Sequence, residues 1–162
     1  MADEDEIERR WLLLQPPQNM FDDMPSTLIE QGYVPVRGAK IRLRSASEAT
    51  ITYFITMKKG KGVSRRQWEE EIPAWVFLEL WPASEGQRLK KVRVHIPHGD
   101  HIVEFDVFQD ALTGLFLLEC EFHFKDEAAA FTLPEWANGA IEVTDDPRYT
   151  NAWIALHGIP TR

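Results

Sequence analysis

The stretch Glu6-Ile7-Glu8-Arg9-Arg10-Trp11 constrains this chain most, because its alternation of charge and apolar bulk returns on nearly every later segment of strand length. In an extended chain successive side chains point to opposite faces, so Glu6, Glu8 and Arg10 share one face and Ile7 and Trp11 the other. The charged face then collects Arg42 and Arg44, Lys58, Glu69 and Glu71, Lys91 and Arg93, Glu104 and Asp106, and Glu119 and Glu121. Its reverse carries Ile41, Leu43, Met57, Trp68, Val92, Val94, Phe105, Val107, Leu118, Cys120 and Phe122. The apolar face must be buried under other elements, so the charged face looks into something other than bulk water or a second sheet.

A closed or nearly closed antiparallel barrel of about eight strands satisfies both demands, since its lumen takes side chains or one small ligand. Charges inside it cannot be stripped of water without partners, so the lumen is wet, internally paired and completed by ligands of both signs. Clustered Arg42, Arg44, Lys58, Lys91 and Arg93 suit a polyanion: arginine offers a two-pronged donor fork to phosphate oxygens and lysine a compact charge. Carboxylates two residues apart suit a hard divalent cation, and magnesium takes one or two carboxylates together with waters and phosphate oxygens. A metal-chelated polyphosphate needs both sets. The competing account is a half-solvated sheet laced with cross-strand ion pairs, each contributing about 0.2–1 kcal/mol.

Between the strands the turn chemistry is plain. Gln15-Pro16-Pro17-Gln18-Asn19 breaks the first strand, and Pro25 with Leu28, Ile29 and Tyr33 predicts a short helix stopped at Gly32. Residues 40–44 and 50–58 predict a hairpin turning at 45–48, followed by a flexible basic turn at 59–62 and a strand over 65–72. Pro73 opens a buried helix over 74–81 that covers the outside of the sheet and ends before Pro82; any exposed part of it is a candidate homodimer surface. Strands are predicted over 89–96, 102–108 and 115–124, then a short helix over 126–131, a short strand or turn over 141–144, and a helix capped at Asp146 that ends at about His157.

A chain of 162 residues fits a single domain, here read as residues 6–162 behind a disordered acidic segment at residues 1–5. The formal net charge of −8 speaks against nucleic acid as a partner, because such binders carry an excess of lysine and arginine. No apolar run reaches the roughly 20 residues of a membrane span, and the acidic start is unlike a secretory signal, so a cytoplasmic protein with no membrane partner is expected. Cys120 is the only cysteine and alternates to the apolar side, where it acts as a small buried hydrophobe. His95, His98 and His101 recur every third residue, but the intervening turn puts them on different faces and argues against a metal cluster.

The charged motifs also resemble a family. Glu6-Ile7-Glu8-Arg9-Arg10 is similar to the ExExK strand that marks the CYTH superfamily, the triphosphate tunnel metalloenzymes, and the ordered matches continue along the chain. They include Ile41-Arg42-Leu43-Arg44, Thr56-Met57-Lys58, Trp68-Glu69-Glu70-Glu71-Ile72, Lys91-Val92-Arg93, Glu104-Phe105-Asp106, Glu119-Cys120-Glu121, and Glu142-Val143-Thr144 with Arg148-Tyr149-Thr150-Asn151. The resemblance is to the compact bacterial type and implies an α+β, mostly β fold: an eight-stranded antiparallel tunnel with a charged lumen and helices packed outside.

It further implies a triphosphate-containing small-molecule substrate and a Mg2+ or Mn2+ cofactor. Arg42, Arg44, Lys58, Lys91 and Arg93 would bind the phosphates. Glu6, Glu8, Asp106, Glu119 and Glu121 would serve the metal, and Arg10, Glu69 and Glu71 catalysis. The expected activity is hydrolysis of tripolyphosphate to pyrophosphate and phosphate, with thiamine or nucleoside triphosphates as variants. Two departures stand out: Arg10 replaces the family's lysine, and Gln67 stands where relatives often have glutamate. Arginine keeps the charge but cannot lose its proton, which leaves a non-catalytic polyphosphate-binding or nucleotide-binding module as an alternative. A CYTH-type adenylate cyclase is a further alternative, although residues 1–5 lack the His-Phe pair that precedes ExExK in such cyclases.

Overall fold

The computed structural model describes the backbone of residues 4–37, 40–60 and 64–162 and the side chains of residues 7–37, 40–60 and 66–162. Nine antiparallel strands form one curled sheet: β1 (Glu4–Leu12), β2 (Ser26–Val34), β3 (Lys40–Ser47), β4 (Ile51–Lys59), β5 (Ser64–Ile72), β6 (Arg88–His98), β7 (His101–Phe108), β8 (Phe116–Phe122) and β9 (Ile141–Glu142). Their order is β5-β4-β3-β2-β6-β7-β8-β1-β9, and a further pairing of β1 with β5 brings the two ends of the sheet together into a tunnel. That seam joins Glu4–Ile7 to Ser64–Gln67. Farther along β1 the edge is taken by β9 opposite Trp11 and Leu12, where Val143 N–H donates to Arg10 C=O and Arg10 N–H to Thr144 Oγ1.

β1 starts at Glu4, so the backbone of Glu4 and Asp5, read from the sequence as terminal, pairs with Gln67 and Arg66. The basic turn expected at 59–62 falls partly outside the described residues. The helix predicted around Leu28–Tyr33 is instead β2, inserted between β3 and β6. Thr27, Ile29, Gln31 and Tyr33 are buried in alternation with Ser26, Leu28 and Glu30, which is the period of a strand. The same residues satisfy a helical spacing, and the competition was decided by the ladders that β2 completes on both sides.

Gly32 is accordingly not a helix stop. It lies in the β2 ladder because the 3-10 turn Trp81–Ser84 presses against it: a Cβ placed there would sit 2.6 Å from Ser84 Cβ, closer still to Ser84 Oγ, and 3.0 Å from Trp81 Cζ3.

The apolar reverse of the sheet is covered unevenly. Over β1, β6, β7 and β8, residues Ile7, Trp11, Val94, Phe105, Leu118, Cys120 and Phe122 form one core with Ala128 of α2 (Lys125–Ala130), Phe131 and Ala137, flanked by Phe21 and Trp136. Cys120 is wholly buried in it, as expected, and burial pushes its thiol up to about 12. Over β4 the cover is α1 (Ala74–Leu80), a helix from which only Phe77 is buried, against Tyr53 and Trp81. Trp75 and Leu78 are exposed and so is Met57, which corrects the expectation of a buried helix shielding the whole apolar face. His98 and His101 both lie edge-on against Phe131, whereas His95 turns inward to Thr27; the three share no site.

Overpacking of this kind costs about 1–3 kcal/mol. Gly32→Ala is therefore expected to lower the unfolding free energy by about that much in urea titration, and adding Ser84→Gly to recover part of the loss.

Candidate active site in the tunnel

The tunnel is charged along most of its length and apolar at one end. Continuing the inward alternation past Arg10, Lys91, Asp106 and Glu119 leads to Leu12, Leu89, Phe108 and Leu117, which pack with Tyr149 and with Ile154 of α3 (Asn151–His157). α3 is capped by Thr150, whose Oγ1 accepts from Trp153 N–H, and a preceding 3-10 turn is capped by Asp146. This C-terminal segment closes one end and delivers two polar groups to the charged zone. Tyr149 C=O accepts from Arg10 Nη1 at 2.9 Å, and Asn151 lies between Lys91 Nζ (3.2 Å to Oδ1) and Glu119 Oε1 (3.4 Å from Nδ2).

Two ion clusters line the wall. In the first, Arg10 donates Nε to Glu119 Oε1 at 3.0 Å and Nη2 to Glu8 Oε1 at 2.9 Å. Arg93 donates Nε and Nη2 to the two oxygens of Asp106 at 2.7 and 2.9 Å, and Nη2 also reaches Glu119 Oε2 at 3.0 Å, while Nη1 pairs with Glu104. Lys91 Nζ, almost fully buried, donates to Asp106 Oδ2 at 2.6 Å. In the second, Glu69 Oε2 accepts from Thr56 Oγ1 at 2.7 Å and from Arg42 Nη2 at 3.3 Å, with Arg44 Nη2 at 3.7 Å. Arg42 Nε and Arg44 Nε are buried and have no hydrogen-bond partner among the described residues.

The residues singled out from the sequence thus fall into distinct places. Arg10, Arg42, Lys91, Arg93, Glu8, Asp106 and Glu119 are brought together in the tunnel, with Arg44 and Glu69 beside them. Lys58 sits one inward position beyond Thr56 on β4, opposite Gln67, and its charge acts on Glu119. Glu71 and Glu121 are exposed toward the open end. The Glu6 backbone lies in β1 and its side chain is outside the described set. Asp106 is wholly enclosed and both its oxygens accept from Lys91 or Arg93.

Electrostatics follow from this crowding. Burial pushes the Glu119 carboxyl up, but Arg10, Arg93 and Lys91 outweigh it and hold it well below the usual carboxylate range. Asp106 is likewise lowered, burial being overcome by Arg93 and Lys91. Burial and the Arg93 charge bring Lys91 down to about 8 despite Asp106 and Glu119, and burial with Arg42 and Arg93 brings Arg44 down to about 10. Among the described residues Arg42 and Arg44 are the tunnel cations whose guanidinium groups the wall carboxylates satisfy least.

No protein-family model matches the chain. A curated inorganic triphosphatase of Nitrosomonas europaea is 39% identical over 153 residues, covering 93% of this chain and 97% of that one. The chain belongs to the CYTH superfamily of triphosphate tunnel metalloenzymes. A crystal structure of an inorganic triphosphatase superposes with a TM-score of 0.65 at 35% identity, over 96% of this chain and 97% of that one. The fold alone is shared with a Hippeastrum protein described as having a dominant triphosphatase activity, at a TM-score of 0.58 and 16% identity over 76% of this chain and 82% of that one.

Within this CYTH tunnel several contributors were given no role by the sequence reading, although Thr56, Tyr149 and Asn151 stand in motifs quoted above. Thr56, Asn151 and Tyr149 C=O hold charged side chains in place, and β2 adds Gln31 and Tyr33 to the wall. Thr56 precedes Lys58 by two, so the period alone could have found it. Asn151 and Tyr149 belong to the motif Arg148-Tyr149-Thr150-Asn151, but their contacts in the tunnel arise only from the packing of α3. Arg9, on the outer face, makes a two-pronged pair with Glu142 at 2.8 Å and donates to Ala128 C=O and Phe131 C=O, tying β1 to β9 and α2.

A carboxylate whose folded pKa is depressed contributes stability above its unfolded value, near 4, and loses it as pH falls through the folded value. Unfolding free energy should therefore fall steadily below about pH 4. Glu119→Gln, by leaving Arg10 and Arg93 partly unpaired, should cost about 3–5 kcal/mol at pH 7 and flatten that acid limb in urea titrations across pH 3–7.

Proposed function

We propose that the tunnel is the active site of a metal-dependent inorganic triphosphatase that hydrolyses tripolyphosphate to pyrophosphate and phosphate. The observation that carries this reading is the pair of buried guanidinium N–H groups on Arg42 and Arg44 that have no acceptor among the described residues, with Arg44 held down by burial and by the Arg42 and Arg93 charges. Burial without a partner costs about 1–3 kcal/mol per donor, and a multiply charged phosphate chain removes that cost and the repulsion together. The activity of the Nitrosomonas europaea relative supports the same assignment.

Arg42, Arg44, Lys58, Lys91 and Arg93 hold the phosphate oxygens and offset the negative charge that builds as the bridging P–O bond breaks. Asp106 fixes the directions of Lys91 and Arg93, and Glu69, tied to Thr56, fixes Arg42. Glu69 and Glu71, on the neighbouring wall, take up the proton of the water that attacks the terminal phosphorus; pyrophosphate departs from the opposite side.

The donor set also fits a hard divalent cation. Glu8 and Glu121 stand directly opposite each other in the β1–β8 ladder, with Glu119 one inward position farther along β8. One or two carboxylates of this set, drawn from Glu8, Glu119 and Glu121 with Glu6 on the same strand as Glu8, would hold Mg2+ or Mn2+, phosphate oxygens and water completing its shell. Asp106, spent on Lys91 and Arg93, supports the wall instead. When bound, the metal supplies charge neutralisation at the phosphate oxygens.

Arg10 fills the place of the family lysine by serving three acceptors, Glu8, Glu119 and Tyr149 C=O, and its pKa is raised because the Glu119 and Glu8 charges outweigh burial. It holds carboxylates in place and needs no proton to give. The test is phosphate release from tripolyphosphate with Mg2+, Mn2+ or EDTA. Release is expected only with metal, falling about 100–1,000-fold in Arg42→Ala, and Arg10→Lys is expected to give no gain in turnover. Metal-independent release, or none from wild type, would contradict the reading.

A further inference from the structure

A hydrogen-bonded chain outside the two ion clusters lies at the end of the tunnel away from the apolar plug. The inward face of β6 runs Leu89, Lys91, Arg93, His95, so His95 follows the two cations one inward position nearer the mouth. Its backbone N–H donates to Pro25 C=O at 3.1 Å. Thr27 Oγ1, buried on β2, lies 2.7 Å from Glu48 Oε1 and 3.1 Å from His95 Nε2. A hydroxyl has one hydrogen and a carboxylate only accepts, so that hydrogen goes to Glu48 and the hydrogen of the second contact belongs to Nε2. The chain therefore runs from His95 Nε2–H to Thr27 O–H to Glu48. It fixes the tautomer of the neutral ring and leaves Nδ1 open. Among the described residues Nδ1 has no partner.

A neutral Nδ1 presents a lone pair, which repels a phosphate oxygen; protonated, it becomes a donor on a cation. The groups around the ring favour that change. Glu48 answers the imidazolium charge through Thr27, and Glu104 stands directly opposite His95 in the β6–β7 ladder. Arg93, two residues back on β6 and itself paired with Glu104, opposes it. Glu119, next across the sheet from Glu104, is spent on Arg10 and Arg93. A polyanion arriving at the mouth adds the negative charge that tips this balance toward the imidazolium.

We propose that His95 is a substrate-binding residue that takes up a proton from solvent as triphosphate enters and donates Nδ1–H to an oxygen of the phosphate group at the mouth, with Thr27 and Glu48 holding the imidazolium in place. The proposal rests on the triphosphatase reading and extends its phosphate row along β6 from Lys91 and Arg93 to His95. A cation formed as the ligand arrives adds a contact without adding to the standing repulsion between Lys91 and Arg93.

The experiment is calorimetric titration of tripolyphosphate at about pH 7.5, in EDTA to prevent turnover, into wild type and His95→Gln, with urea unfolding of both as the control for folding. Each titration is run in two buffers of different ionisation enthalpy, so that the difference in heat counts the protons taken up. Protonation of tripolyphosphate itself is common to both proteins and cancels between them. An ordinary imidazole is mostly neutral at this pH, so wild type should take up about 0.5–1 proton more per ligand than His95→Gln. It should also bind about 10- to 150-fold more tightly, as a hydrogen bond to a charged group implies. Thr27→Ser, which keeps the hydroxyl, should retain both properties. Equal proton uptake in wild type and His95→Gln, whatever their affinities, overturns the proposal and leaves the triphosphatase reading intact, since a link that only ties β6 to the 45–50 turn changes affinity without moving a proton. Absence of binding in wild type, together with no metal-dependent phosphate release, overturns both.

Should His95→Gln fail to fold, the ring nitrogen resonances of wild-type protein labelled with 15N-histidine decide the matter. The protein has 5 histidines, and His98→Gln, His101→Gln, His123→Gln and His157→Gln assign the fifth. Saturating tripolyphosphate should move the His95 nitrogens to imidazolium positions at about pH 7.5. Nitrogens that stay at the positions of a neutral ring contradict the proposal.

Discussion

The ion pairing around Asp106 is the constraint on which the tunnel depends. Lys91 and Arg93 project from adjacent inward positions of β6, the first almost fully and the second largely removed from water, and a sheet cannot carry two such cations side by side without a shared counter-charge. Asp106 supplies it from β7, and Glu119 extends the network through Arg93 to Arg10 on β1. Four consecutive strands of one wall are thereby linked. An apolar replacement could hold the barrel closed as well, but it would leave nothing to grip a polyanion. The network keeps cations in a protein interior while spending only part of their donors.

That partial neutralisation separates the two sides of the lumen. On β6, β7, β8 and β1 the pairing is dense and each cation has two or more acceptors. Among the described residues Glu69 of β5 serves both Arg42 and Arg44 of β3, whose Nε groups have no acceptor. The apolar plug of Leu12, Leu89, Phe108, Leu117 and Ile154 closes one end, so ligand enters from the end where Glu71 and Glu121 meet solvent.

Much of this was legible in the sequence because a strand writes its two faces in alternate letters. The doublets Glu8/Arg10, Arg42/Arg44, Lys91/Arg93 and Glu119/Glu121 announced both the strands and their shared face, and the motifs carried the family. β2 was not legible: Thr27, Ile29, Gln31 and Tyr33 bring no charge to mark the inward face, and Gly32 reads as a stop when its actual neighbour, Ser84, is far away in sequence. The same blindness applies to Asn151 and Tyr149, whose contacts exist only once α3 has docked. Spacing also could not tell that Asp106 is wholly enclosed, with both oxygens spent on Lys91 and Arg93. Arg10 read as a departure from the lysine pattern; the structure gives it three acceptors in three directions, which a lysine ammonium on a flexible stem would serve less well.

The central claim is that this positive zone is under strain that a triphosphate relieves. The most direct measurement is the unfolding temperature as tripolyphosphate is added in EDTA, with sodium sulfate at equal ionic strength as the control. At a concentration about 100 times the dissociation constant the ligand contributes about 2.7 kcal/mol, which for a domain of this size raises the midpoint by about 5–10 °C. The account predicts that rise, saturable and absent with sulfate. A midpoint unmoved by tripolyphosphate, or moved equally by sulfate, would contradict it.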